Sequence, residues 1–262
     1  MYLIFILIFL SLINCINTFH IKPKIIKSKT QLKASLHGIE LGLLTLGSGL
    51  ILDNTVSKAS LELLKNNSTK LYNDGMIKVY TNLILIGPIY YYFVENFLIK
   101  DLYSNPNFLE TLGIVSIHSI GYYLGHKNMH RTNFFKKYHH FHHQFNETLI
   151  PSIGNAVSTS EFTFAYMLPF VVGSVIIQPN LNSLNVGIMI VSIMNLIIHC
   201  QELEHIKWND YFVSPQTHLY HHQSKNEFST YSAPTFNLEN IGRKLKDIKH
   251  WIDYFLVFYG RI

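Results

Sequence analysis

The sequence predicts an all-α membrane protein: two transmembrane helical hairpins, with a helical cap at one membrane face that carries clustered histidines. Three observations predict it. The 262 residues are 48% hydrophobic and only 14% charged, against roughly a quarter charged in soluble domains. Four apolar stretches, 79–99, 108–125, 162–178 and 184–200, each have about the length that crosses a hydrocarbon core. Twelve of the 15 histidines fall between His118 and His222, most of them in segments that follow the second helix of each pair.

Taken from the N-terminus, residues 1–38 read as a signal or targeting segment, or as a signal anchor, and 39–262 as one membrane-embedded domain. The opening MYLIFILIFLSLINC is apolar and of signal-peptide length. Residues 18–39 are basic and free of acids, with Glu40 the first carboxylate. That combination resembles the bipartite plastid presequences of algae, in which a Phe, here Phe19, follows the cleavage point. Residues 37–52 are apolar, short and glycine-containing, which reads as an interfacial or re-entrant segment. The four spans come next, joined within each pair by KDLYSNPN and PNLNS. Links this short predict hairpins. The IYYYF run, residues 89–93, reads as an interfacial aromatic belt, with the lining of an access groove as the alternative.

Charge orients the hairpins. The segment after the second span carries Lys127, Arg131, Lys136 and Lys137, and the tail carries Lys207, Lys225, Arg243, Lys244, Lys246 and Lys249. The links hold only Lys100 and Asp101. The positive-inside rule therefore puts both histidine-rich segments on the cytosolic side, or the stromal side of a plastid membrane. The net charge of +5 is moderate. It suits anionic lipid and requires no nucleic acid. Cys15 and Cys200 lie in no CxxC spacing, so neither a disulfide nor a thiolate metal site is expected.

The histidines carry the chemistry. HKNMH places His126 and His130 at i and i+4, one turn apart on one helical face. HHFHH places His139, His142 and His143 at i, i+3 and i+4, while His140 is turned about 100° away from His139. HLYHH repeats the spacing with His218, His221 and His222, and His199 ends the last span. Nine imidazoles exceed what one ion takes, so two ions are expected, each HxxHH trio dominating one, with His126, His130 and His199 completing the spheres. Imidazole suits iron, copper, zinc and nickel. His20, His37 and His250 read as ordinary interfacial histidines. Glu147, Glu161, Glu202, Glu204 and Asp210 are candidates to hold the outer ring nitrogens of the ligands.

The combination HxxxH, HxxHH, then a lone His, a Pro and a second HxxHH resembles the fatty acid hydroxylase and sterol desaturase superfamily of membrane di-iron oxygenases, over about residues 113–231. The resemblance assigns His126, His130, His139, His142, His143, His199, His218, His221 and His222 as both catalytic residues and metal ligands. It implies two iron ions, with zinc able to replace them in purified material, and dioxygen as co-substrate. The implied reaction hydroxylates or desaturates an apolar lipid such as a sterol, sphingolipid or fatty acyl chain. The sequence contains no haem, nucleotide or iron–sulfur fingerprint, so a separate electron donor is expected: a b-type cytochrome in the endoplasmic reticulum, the favoured location, or ferredoxin in a plastid. Two positions depart from the family pattern. STSE, residues 158–161, keeps the Glu of the usual His-Pro-x-Glu but has Ser158 in place of its His, and Ser119 stands where many members have Asp. A plastid carotenoid hydroxylase is one alternative, although its first motif is usually HxxxxH. A non-enzymatic metal-binding or transport protein is another, although transporters hold their ligands near mid-membrane.

Overall fold

The computed structural model describes residues 27–146, 148–223, 230–232 and 234–259, with side chains placed from His37 to Lys249. The expected targeting segment falls largely outside the described residues, as do Cys15, Phe19, His20 and Glu147. The chain divides into a first unit, Met1–Lys33, and a second, Ala34–Ile262, which contains all the packing described below. No strand occurs among the described residues; there are only isolated bridges, Asp101 with Asn180 and Phe212 with Phe236. The protein is an all-α membrane protein.

Helix α1, Lys27–Thr55, turns by 93° into α2, Lys58–Phe97. Residues 37–52 are thus part of a longer helix, and the sharp bend after it is that of a broken span or a re-entrant segment. The bend is held by Glu202, which accepts hydrogen bonds from Ser57 Oγ and Ser60 Oγ at 2.6 Å each. Close packing of α1 on α2 depends on Gly42, where a Cβ would stand 2.1 Å from the carbonyl oxygen of Leu83. Helix α3, Phe108–Arg131, carries the expected second span six residues further, to the first histidine motif. Its N-cap is Asn107, whose side chain accepts from the backbone N–H groups of Leu109 and Glu110. Helices α5, Thr159–Ile177, and α6, Leu181–Ile198, are each long and apolar enough to cross a membrane. The bent α1–α2 pair passes the same criterion taken together, whereas α3 is not among the helices that pass; Glu110, His118 and several Ser, Gly and Tyr residues interrupt its apolar run.

Helix α3 packs along both α5 and α6, and the two links meet at the end remote from the histidines. Lys100 N–H donates to Pro179 O at 3.3 Å, Leu181 N–H to Asp101 O at 2.8 Å, and Asn180 Nδ2 to Asn105 O at 3.1 Å. Tags inserted after Asn105 and after Asn182 are therefore expected to be reached by impermeant reagents from the side opposite a C-terminal tag. Labelling of all three from one side would refute this arrangement.

The cap is built from short pieces: α4, Asn133–His139; a 3₁₀ turn, His142–Phe145; α7, Pro215–Gln223; and α8, Leu238–Tyr259. Beneath it runs an irregular segment, residues 148–157, that is buried throughout. Apart from a 3₁₀ turn, Pro151–Asn155, it lacks a regular helix to pair its backbone, and buried polar groups must then be paired within the protein. Here Gln201 Oε1 accepts from Leu149 N–H, Asp53 Oδ1 accepts from Ser152 N–H, and Asn82 Nδ2 donates to the carbonyls of Asn155 and Val157. Leu149, Ile150, Ile153, Ala156 and Val157 join Phe145 and Phe162 in the central apolar core, which forms the floor of the histidine site.

Candidate metal centre

The nine histidines gather at the cap ends of α3 and α6 in two adjacent groups. The first holds His126, His130, His139, His143 and His221; the second holds His142, His199, His218 and His222. This differs from one HxxHH trio per ion. Each trio is split: His139 and His143 enter the first group and His142 the second, while His218 and His222 enter the second and His221 the first. Helix geometry explains the division. Residues i and i+4 are about 40° apart around the axis, whereas i+3 and i+4 are about 100° apart. The i,i+4 pairs therefore share a group, and the i+3 residue reaches across to the other. His140, rotated out of the trio, is exposed.

The donor set fits metal ions. Within each group the ligand atoms lie within 4.8 Å of one another. Opposite ligands on one ion with bonds of about 2.1 Å stand about 4.2 Å apart. Nε2 to Nε2 separations are 3.0 Å for His126 and His139, 3.2 Å for His126 and His130, 2.8 Å for His139 and His143, and 3.0 Å for His199 and His218. Neighbouring ligands on an octahedral ion stand about 3.0 Å apart with bonds of that length. Both ring nitrogens of His221 and His222 are buried without a hydrogen-bond partner, as are those of His118, which stands outside both groups; where such nitrogens also converge with others at ligand spacing, an unplaced ligand accounts for them. The groups share a wall: ring centroids are 4.7 Å apart for His143 and His222 and 6.0 Å for His142 and His143.

Three outer contacts fix ring orientation. His139 Nδ1 lies 2.6 Å from Glu161 Oε1, His199 Nδ1 lies 2.7 Å from Asn195 O, and His126 Nδ1 lies 3.1 Å from Tyr231 O. An acceptor at Nδ1 places the proton there and leaves the Nε2 lone pair free for metal. Of the five carboxylates expected in this role, Glu161 alone is seen to take it. Glu202 instead braces the α1–α2 bend, Glu204 and Asp210 are exposed, with Asp210 facing Lys244, and Glu147 lies outside the described residues. The roles of Asn195 and Tyr231 are invisible to motif reading, because each acts through its backbone carbonyl.

Burial holds the imidazoles of His143 and His199 down to about 4. Burial and then the neighbouring imidazoles hold His142, His218, His221 and His222 well below the ordinary value. All are neutral at pH 7, the form a metal requires. For the metal-free protein, the unfolded histidines take up protons below about 6.5 while the folded ones do not, so stability falls as pH falls through that value toward 4. Melting temperatures of chelator-treated protein from pH 8 to 5 are expected to be level above about 7 and to drop below it.

Ser158 joins neither group. Its Oγ accepts from Glu161 N–H at 3.1 Å and caps α5, the helix that presents Glu161. Ser158→Ala is expected to cost about 1 kcal/mol. Ser158→His loses the same cap and leaves the metal-to-protein ratio unchanged. Thermal melting and metal analysis of the two variants check both statements. Ser119, the other departure, is buried against Thr235 Oγ1 at 2.5 Å and ties α3 to the segment before α8.

Residues 111–239 match the fatty acid hydroxylase family. The chain is 30% identical over 121 residues to fatty acid hydroxylase domain-containing protein 2 from Homo sapiens, and equally to the protein of that name from Macaca fascicularis. The aligned stretch is 46% of this chain and spans about a third, 34%, of each relative. No solved structure matches the chain.

Proposed function

We propose, from the match of residues 111–239 to the fatty acid hydroxylase family, that the protein is an integral-membrane di-iron oxygenase acting on an apolar lipid. The observation that carries this reading is the convergence of nine imidazoles, free of thiolates, into two touching groups with orphaned ring nitrogens. His126, His130, His139, His143 and His221 would hold one ion, and His142, His199, His218 and His222 the other. Iron held there would supply activation of dioxygen, with two electrons and two protons, against an unactivated C–H bond, giving an alcohol and water or a double bond and two waters.

The chain's own residues prepare that chemistry. Glu161, Asn195 and Tyr231 set the direction of three ligands before any metal arrives. Burial of the site excludes bulk water. His130 and His143 are the ligands that keep partial solvent exposure, on the side where Arg131, Lys136 and Lys137 are exposed. That is the face on which a separate acidic electron donor, a b-type cytochrome or ferredoxin, would approach. The proposed location is the endoplasmic reticulum membrane.

The test is metal and oxygen stoichiometry on protein purified anaerobically. Two irons per chain, and oxygen uptake dependent on both an electron donor and membrane lipid, are expected. Two tightly held zinc ions with no redox activity in any preparation would favour the non-enzymatic reading.

A further inference from the structure

Resting on the metal-centre reading, we propose that Glu239 is a positioning residue for the first histidine group: it clasps residues 230–232, so that Tyr231 holds His126 and walls the group. Glu239 stands in the first turn of α8. Its Oε1 accepts from Tyr231 N–H at 2.6 Å, and its Oε2 accepts from Thr230 Oγ1 at 2.9 Å and from Ser232 Oγ. Ser232 Oγ in turn accepts from Leu238 N–H at 2.8 Å. Three consecutive residues thus converge on one carboxylate. A carboxylate suits this use, because its two oxygens offer about four acceptor sites, more than an amide or a hydroxyl oxygen can.

The clasp sets both peptide groups that flank Tyr231. The one between Thr230 and Tyr231 is held directly, through Tyr231 N–H. The one between Tyr231 and Ser232 is held through Thr230, whose Oγ1 accepts from Ser232 N–H at 3.4 Å. The carbonyl of that second peptide group is the Tyr231 O that lies 3.1 Å from His126 Nδ1. A peptide group is planar, so fixing its N–H fixes the direction of its carbonyl. Glu239 therefore acts on His126 through two intervening hydrogen bonds. The Tyr231 side chain adds a second contact. Its ring centroid stands 5.2 Å from that of His130, 6.1 Å from His221 and 6.2 Å from His126. All three belong to the first group, and His130 is one of its partly exposed ligands.

A clasp can orient its cargo only if its own base is fixed. Val213 N–H donates to Thr235 O at 3.0 Å, and Asn237 N–H donates to Tyr211 O at 2.8 Å. Thr235 is also tied to Ser119 on α3. Asn237 Oδ1 accepts from Asn240 N–H at 3.1 Å, the bond of a helix N-cap. These contacts hold the start of α8 on the cap without using residues 230–232. Asn237 takes the capping role, which leaves the Glu239 carboxylate free to reach back to the segment before the helix. The fixed frame of α8 is carried by that carboxylate to Tyr231, and by Tyr231 to the ligands.

The test is the zinc affinity of the full chain in nanodiscs, measured by competition with a chromophoric chelator. His199→Ala with His218→Ala leaves the first group complete, and His126→Ala with His139→Ala leaves the second. In the first background Glu239→Ala is expected to weaken zinc binding about tenfold, the low end of the effect of losing an outer partner. Glu239→Gln, whose amide oxygen still accepts from Tyr231 N–H, is expected to recover most of that loss. Thr230→Val frees Ser232 N–H and is expected to weaken binding severalfold; it decides the matter if Glu239→Ala does not fold. In the second background Glu239→Ala is expected to leave the affinity unchanged. Asn237→Ala loosens the start of α8 and spares the clasp, so it is expected to lower the melting temperature without changing zinc affinity in the first background. Affinity indifferent to both Glu239→Ala and Thr230→Val, lost equally in the two backgrounds, or lost equally in Asn237→Ala, would overturn the proposal. Failure of the metal-centre reading would appear differently, as wild-type protein that never holds two metals.

Discussion

His142→Ala is expected to remove one ion per chain and to abolish turnover. His142 belongs to the group of four, so three imidazoles remain there, and its ring is buried among the other ligand histidines. Loss of an outer partner of a ligand typically costs 10–100-fold in metal affinity or activity, so loss of the ligand itself should cost roughly a hundredfold or more. His221→Ala should deplete the other group, which falls from five donors to four, and should spare more metal than His142→Ala does. His140→Ala, at an exposed position between these motifs, should leave metal content within error of wild type. Metal analysis beside product formation distinguishes the three. If His140 proved as important as His142, the division of the histidines between the groups would be wrong.

The second large effect is expected at Glu161. Its carboxylate lies 2.6 Å from His139 Nδ1, and the two side chains are 1% and 3% exposed. Glu161→Ala would leave a buried ring N–H without an acceptor, at a cost of about 1–3 kcal/mol. It would also free the ring to turn or to place its proton on Nε2. Metal affinity should fall by about 10–100-fold. Glu161→Gln keeps an oxygen that can accept from Nδ1, so it should recover much of that affinity. A purely structural role would show as melting temperature lost in step with affinity, so both are measured. Equal affinity in Glu161→Ala and wild type, measured by competition with a chelator, would remove Glu161 from the centre.

Much of this was legible in the sequence, for identifiable reasons. The two last spans were readable because apolar runs of membrane length have few other uses. The direction of His140 was readable because a helical step fixes angles locally. The split of each HxxHH trio was not readable: the sequence gives the angle between His142 and His143 but not what stands on either side of them. Helix α2 was underestimated because Asn66, Asn67, Ser68, Asn73 and Asp74 look like a break, whereas packing carries the helix through with a kink at Ser68 and a π-helical stretch, Thr81–Ile86. The buried segment 148–157 reads as a loop, and the side chains that satisfy its backbone, Asp53, Asn82 and Gln201, are scattered over the chain. Asn195 and Tyr231 escape any motif because their identity matters little to the carbonyl each contributes.

Helix α7 places His221 in one group and His218 and His222 in the other. A rigid nine-residue rod that touches both sites cannot tilt or rotate to suit one without displacing the donors of the other. The first ion to arrive thus performs the alignment for the second, and the second binds to a partner already in position. Metal uptake by the stripped protein should be sigmoidal, with singly loaded molecules scarce at every stage of a titration. An enzyme that needs two electrons from paired ions would gain from this by keeping half-assembled centres, able to react with oxygen but not to finish the reaction, out of the population.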